Sequence, residues 1–249
     1  MQRGQKEKKQ SPELKQKGKK QKKLSGIGVM GGTFNPVHSG HLRVAEEVRE
    51  TLGLEKVLFV PAGTPPLKAS HGLAPARKRL EMVRLAVAGN PFFEVSDLEC
   101  GKSGPSYTVS TLERLSEMHP GKRLFFITGA DVFLDLHRWW RPGRLIELAD
   151  LVVVSRPGYP FSGVLDSPFV LKEKDLSKKK RQAAALEAVK AGRMVRMGLA
   201  SGRALYLVKV TALEISARQI RALLKSGRSP RYLLPEQVLS FIIQNKIKF

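Results

Sequence analysis

Short apolar, β-branched runs recur along the chain at Ile27–Met30, Val57–Val60, Phe92–Val95, Leu124–Thr128, Leu151–Ser155 and Ala204–Val210. Between them the apolar positions change to helical spacing, over roughly Gly40–Leu52, Ala76–Ala88, Tyr107–Met118, Arg144–Leu148, Ser216–Ser226 and Pro235–Asn245. Strands that alternate with helices predict a parallel sheet. Right-handed crossovers then lay helices on both faces and gather the strand-end loops into one crevice. The expected fold class is therefore α/β: doubly wound, with a mostly parallel sheet. No internal repeat is visible at a solenoid period.

A chain of 249 residues can bury a full core, and its ordered part fits one α/β domain, expected over residues 25–249. Cys100 is the one cysteine, which excludes an internal disulfide framework and fits a reducing cytoplasm. Of the five histidines only His38 and His41 are close in sequence, so no zinc-ligand spacing appears. No apolar run approaches the length of a membrane span, and no signal-peptide stretch follows the lysine-rich amino terminus. A soluble, cytoplasmic protein without membrane contact is expected.

The net charge of +22 is unevenly spread. Residues 1–24 hold ten Lys/Arg against Glu7 and Glu13, with hardly any apolar side chains, and are expected to form a disordered basic tail. A second concentration spans residues 172–203, with Lys178-Lys179-Lys180-Arg181 followed by an alanine-rich helical pattern from Gln182 to Ala191. It reads as a solvated basic excursion, with a weak nucleic-acid or polyphosphate contact as the alternative.

The stretch Gly31-Gly32-Thr33-Phe34-Asn35-Pro36-Val37-His38-Ser39-Gly40-His41 carries the chemistry. A strand leads into a glycine turn and then a helix start, an arrangement that offers backbone N–H groups and a positive helix end to an anion. His38 and His41, three apart, can face one phosphate. Two other matches are coincidental. Gly26-x-Gly28-x-x-Gly31 has the dinucleotide spacing but lies before or within the strand, where a turn is required. Gly101-Lys102-Ser103 lacks the leading glycine of a P-loop, since position 96 is serine. Near the carboxyl end Ser216 and Gln219 form a capping box for another helix, with Arg221 on its second turn.

Together, His-x-Gly-His and Ile215-Ser216-Ala217-Arg218-Gln219-Ile220-Arg221 resemble the His-x-Gly-His nucleotidyltransferases, whose fold is Rossmann-like. Further segments narrow the resemblance to bacterial nicotinate-nucleotide adenylyltransferase. These are Val60 to Lys68, Ser106-Tyr107-Thr108, Ile127-Thr128-Gly129-Ala130-Asp131, Arg138-Trp139-Trp140, Arg156 to Pro160 and Tyr232 to Val238. They occur in that family's order and cover most of residues 27–245.

The resemblance implies ATP and nicotinate mononucleotide as substrates, and Mg2+ carried mainly on the ATP phosphates. It places Gly32, Thr33, Phe34, His38 and His41 on those phosphates, His41 as the main catalytic donor with His38 assisting. Gly129 and Asp131 fall at the adenosine, with Ser216 and Arg221 completing the triphosphate grip. Ser106, Tyr107 and Thr108 line the nicotinate pocket, Trp139 stacks on the ring, and Lys68 approaches the mononucleotide. Asp131 as a plain helix cap and Trp139 as a core aromatic are the competing readings. Two positions depart from the family: Leu67 stands where a histidine is usual, and Arg218 where a threonine is. A non-catalytic nucleic-acid-binding scaffold and transfer to another acceptor such as phosphopantetheine are the alternative functions. Self-association is left open.

Overall fold

The computed structural model describes residues 24–66, 72–171 and 177–249. The basic tail expected over residues 1–24 lies outside the described residues except for Leu24, and so do Leu67 and Lys68.

The first half of the chain runs β1 (Gly26–Gly32), α1 (Ser39–Leu52), β2 (Lys56–Pro61), α2 (Ala76–Val87), β3 (Phe93–Val95) and α3 (Thr108–Met118). The second half runs β4 (Arg123–Gly129), α4 (Ala130–Leu134), α5 (Pro142–Leu148), β5 (Asp150–Val154), α6 (Phe161–Leu165), α7 (Ser177–Lys190), β6 (Val195–Gly198), β7 (Ala204–Val208), α8 (Ala217–Lys225) and α9 (Glu236–Gln244). The strands form one sheet in the order β3-β2-β1-β4-β5-β7-β6. All neighbours are parallel except β6, which pairs antiparallel with β7. The winding reverses after β3, so β1 and β4 become neighbours although α1, β2, α2, β3 and α3 separate them in the chain. At such a switch point the loops leave on opposite faces and open a crevice beyond the strand ends.

The expected doubly wound sheet is therefore present, with three additions. β6 was not legible: it is a four-residue edge strand containing Arg196, with none of the β-branched enrichment of the inner strands. α4 and α6 have five residues each, too short to show a helical period. The basic excursion expected over residues 172–203 is built, in its described part, from α7, β6 and the turn that leads into β7, with α7 starting at Ser177 rather than Gln182. Gly26, Gly28 and Gly31 all lie within β1, which disposes of the dinucleotide spacing.

Alternation along the inner strands divides the core in two. Phe125 and Ile127 of β4 join Phe59, Val48, Met82, Tyr206, Ile220 and Ile242 under α1, α2, α8 and α9. Leu124 and Phe126 join Ile27, Val29, Leu112, Leu115, Leu145 and Val164 under α3, α5 and α6. Both faces are thus sealed, as a parallel sheet requires. Among the described residues no helix is long and apolar enough to cross a membrane.

Asp150 ties the amino ends of three strands together. It is fully buried at the start of β5, paired with Arg123 of β4, and accepts the Ala204 N–H of β7 at 2.8 Å. Asp150→Ala leaves that N–H buried and unbonded, at an expected cost of about 2 kcal/mol. Urea unfolding should show this loss. Turnover per folded molecule should stay near wild type, because the crevice lies at the opposite ends of the same strands.

Candidate active site

The crevice is built around the first turn of α1, where each backbone N–H can be followed. The His38 N–H donates to His41 Nδ1 at 3.2 Å. The Ser39 N–H donates to the Leu233 carbonyl at 3.0 Å, and the His41 N–H turns back to the His38 carbonyl at 2.9 Å. Among the described residues the Gly40 N–H has no backbone partner. It points along the positive end of the helix, the arrangement that accepts an anion. Glycine is needed here for space: a Cβ at Gly40 would lie 3.1 Å from His38 Nδ1 and 3.9 Å from the Ile215 Cβ.

The two imidazoles stack with ring centroids 3.7 Å apart, and Phe34 packs edge-on to His41 at 5.0 Å. A neutral His41 that accepts at Nδ1 carries its proton on Nε2 and remains a donor at that end. His38 is only 6% exposed, and its Nδ1 is buried without a partner. Burial first, and the Arg156 guanidinium second, bring its pKa down to about 4. His38 is therefore neutral at ordinary pH.

The carboxyl-terminal motif meets this turn directly. Ile215 abuts Gly40, and Ser216 begins α8 with its Oγ accepting the Gln219 N–H at 3.1 Å, half of the expected capping box. The Ser216 hydroxyl proton stays available to another acceptor. Arg221 donates from Nη1 to the Asn35 carbonyl at 2.8 Å, which joins α8 to the loop after β1. Arg218 is exposed.

At the end of β4, Gly129 is the residue that precedes α4, and Asp131 lies inside its first turn. A carboxylate in the first turn also faces the positive end of its own helix, so the helix-cap reading of Asp131 stands beside the adenosine one. Its carboxylate folds over Gly129, where an added Cβ would come within 2.3 Å of Oδ1. Arg156, in the loop after β5, has its Nε 3.8 Å from Asp131 Oδ2. This arginine connects Asp131 with His38. Its segment is part of the family resemblance, but one arginine in a loop has no distinguishing pattern that would single it out in sequence.

On the other side of β1, Ser106 Oγ accepts the Gly63 and Thr64 N–H groups at 3.0 and 3.2 Å, and the Ser106 N–H donates to the Thr64 carbonyl at 2.9 Å. Ser106 thus shapes the wall through internal bonds rather than offering its own N–H. Glu99 stands behind it, with bonds from Thr111 and Ser106, and burial raises its carboxyl pKa. Tyr107 precedes α3 and stacks on Trp140 with centroids 4.8 Å apart, while Thr108 opens the helix. Trp139 is half-buried, edge-on to Phe126 at 6.1 Å. Asn35 and Glu99 were not legible as site residues, because an asparagine in a turn and a lone glutamate have no spacing signal.

Two helix starts meeting at the switch point of a parallel sheet define a nucleotidyltransferase scaffold, and a cytidylyltransferase-like family model matches residues 29–223. A curated protein of Geotalea daltonii named "Probable nicotinate-nucleotide adenylyltransferase" is 43% identical over 221 residues, covering 89% of this chain and 97% of that protein. One of the same name from Geobacter sulfurreducens is 43% identical, covering 88% and 96%. This chain belongs to the nicotinate-nucleotide adenylyltransferase family. A solved structure of the Plasmodium falciparum nicotinic acid mononucleotide adenylyltransferase, complexed with NaAD, shares the fold at a TM-score of 0.63 and 17% identity, covering 89% of this chain and 96% of that one.

The depressed pKa of His38 sets a pH dependence. With a folded value of about 4 against an ordinary 6.5, the unfolded chain binds the proton first as pH falls. The stability tied to the neutral ring is complete above the unfolded value and drains away toward the folded one, about 3 kcal/mol in all. Between about pH 7 and about pH 4.5 the wild type should lose about 2 kcal/mol more than His38→Gln in urea unfolding. Parallel losses in both proteins would contradict the buried, neutral assignment.

Proposed function

We propose that this chain transfers the adenylyl group of ATP to nicotinate mononucleotide, forming nicotinate adenine dinucleotide and pyrophosphate. The observation that carries this reading is the meeting of the α1 and α8 amino ends, tied by the Arg221–Asn35 bond. A phosphate oxygen of the mononucleotide attacks the α-phosphorus of ATP in line. The bond to the α-phosphorus forms as the bond to the bridging oxygen of the departing pyrophosphate breaks. The nucleophile is already anionic near neutral pH, so the reaction needs no protein nucleophile. What it needs is placement of two mutually repelling anions and stabilisation of the charge on the leaving group.

The Gly40 N–H, the backbone of Gly32, Thr33 and Phe34, and the Ser216 turn suit the triphosphate, with Arg221 supplying positive charge. His41 donates from Nε2 to the α-phosphate, and neutral His38 supports the ring against which it stacks. Asp131, with Gly129 beneath it, suits the ribose hydroxyls. Among the described residues no group of three or more His, Cys, Asp or Glu could cage a metal. As the family resemblance implies, Mg2+ would be brought in with ATP and would offset the negative charge of its phosphates. On the mononucleotide side, Tyr107, Thr108 and Trp139 surround the ring, with the Trp140–Tyr107 stack as the adjoining wall. Lys68, assigned to this half by the resemblance, lies outside the described residues.

Pyrophosphate release from MgATP, measured with nicotinate mononucleotide, nicotinamide mononucleotide and phosphopantetheine in parallel, tests the reaction and its acceptor. The nicotinate compound should give the fastest turnover; release with phosphopantetheine alone, or with none of the three, would overturn the proposal. In the same assay His41→Ala should lower the rate by about 10²- to 10³-fold with its fold intact.

A further inference from the structure

Arg79, in the first turn of α2, has no exposed surface. Its guanidinium donates to three main-chain carbonyls: Nε to Ala74 at 2.9 Å, Nη1 to Thr33 at 2.7 Å and Nη2 to Gly63 at 2.7 Å. Burial pulls it below its ordinary pKa, opposed by the neighbouring Cys100 and Glu99. Taking such a cation out of water is costly, and an apolar side chain of similar volume often serves stability as well or better. Packing alone therefore gives no reason for an arginine. The carbonyls it holds do.

In a trans peptide the carbonyl and the following N–H point in opposite directions. Holding the Thr33 carbonyl against Arg79 turns the Phe34 N–H to the opposite side. Holding the Gly63 carbonyl leaves the Thr64 N–H on Ser106 Oγ, as its 3.2 Å bond records. Thr33–Phe34 follows β1 and Gly63–Thr64 follows β2, so the same side chain fixes one peptide in each half of the crevice. A lysine, with all its donors on one nitrogen, cannot span carbonyls that a planar fork reaches from separate atoms.

We propose that Arg79 is a positioning residue, which locks the peptide planes of the ATP half and the mononucleotide half into one register and so sets the distance between acceptor phosphate and α-phosphorus. This rests on the adenylyl-transfer reading above. Small errors in that distance act on the rate far more than on the affinity for either substrate alone.

The test uses Arg79→Lys and Arg79→Ala, with turnover expressed per folded molecule from circular dichroism. Arg79→Lys should lower kcat by about 10- to 100-fold. The dissociation constants of MgATP and nicotinate mononucleotide, each titrated alone, should change by less than about fivefold. Added methylguanidinium should restore kcat of Arg79→Ala along a saturating curve, a response that a purely structural role would not give. If Arg79→Lys does not fold, the methylguanidinium series decides. A kcat within about twofold of wild type in Arg79→Lys, or a rate per folded molecule that does not respond to methylguanidinium in Arg79→Ala, overturns the proposal. Wild-type protein in the same assay separates the two readings. An inactive wild type removes adenylyl transfer and this inference with it, whereas an active wild type with unchanged variants removes the role of Arg79 alone.

Discussion

The bond from Arg221 to the Asn35 carbonyl joins positions 186 residues apart, and the arrangement of the crevice depends on it. Arg221 lies on α8, after the last strand, and Asn35 lies in the loop after the first. Nothing local brings them together. Six strands must be wound in the right order, and both sheet faces sealed, before the amino end of α8 can reach that of α1. Once it does, Ile215 closes on Gly40 and the Leu233 carbonyl takes the Ser39 N–H. The Gly40 N–H is left without a backbone partner among the described residues.

Around that junction the charge distribution is asymmetric in a useful way. Arg156 and Arg221 bring positive charge, while His38 is kept neutral by burial and by Arg156 itself. A neutral His38 can pack under His41 without adding a buried cation, and its backbone N–H fixes the His41 tautomer. Asp131 is the acidic group set against Arg156, and its carboxylate occupies the space that a side chain at Gly129 would need. The crevice thus sets helix-start N–H groups and arginines beside one carboxylate, the combination on which the proposed function rests.

The sheet was legible because its inner strands are buried on both faces and read as unbroken apolar runs, as in Leu151-Val152-Val153-Val154. β6 escaped notice because an edge strand with Arg196 has no such run. The two helix starts were legible because a glycine turn at a strand end and a Ser-x-x-Gln helix start have fixed local spacing. Their convergence was carried by the family resemblance, since distance in three dimensions leaves no local pattern. Ser106 belongs to a segment expected to line the nicotinate pocket; that its N–H serves the Thr64 carbonyl is a matter of backbone direction, which is invisible in sequence. Arg79 was missed for a related reason: an arginine on an amphipathic helix reads as a solvent-facing charge until the loops folded over it are known.

In the proposed function the amino ends of α1 and α8 hold one polyphosphate between them. A crystal structure with magnesium and α,β-methylene-ATP tests it most directly. The triphosphate should lie within hydrogen-bond distance of the Gly40 N–H and of the Ser216–Arg221 turn at the same time. A triphosphate seated elsewhere, for example in the surface groove between α8 and α9 lined by Leu224, Arg228 and Arg231, would contradict it.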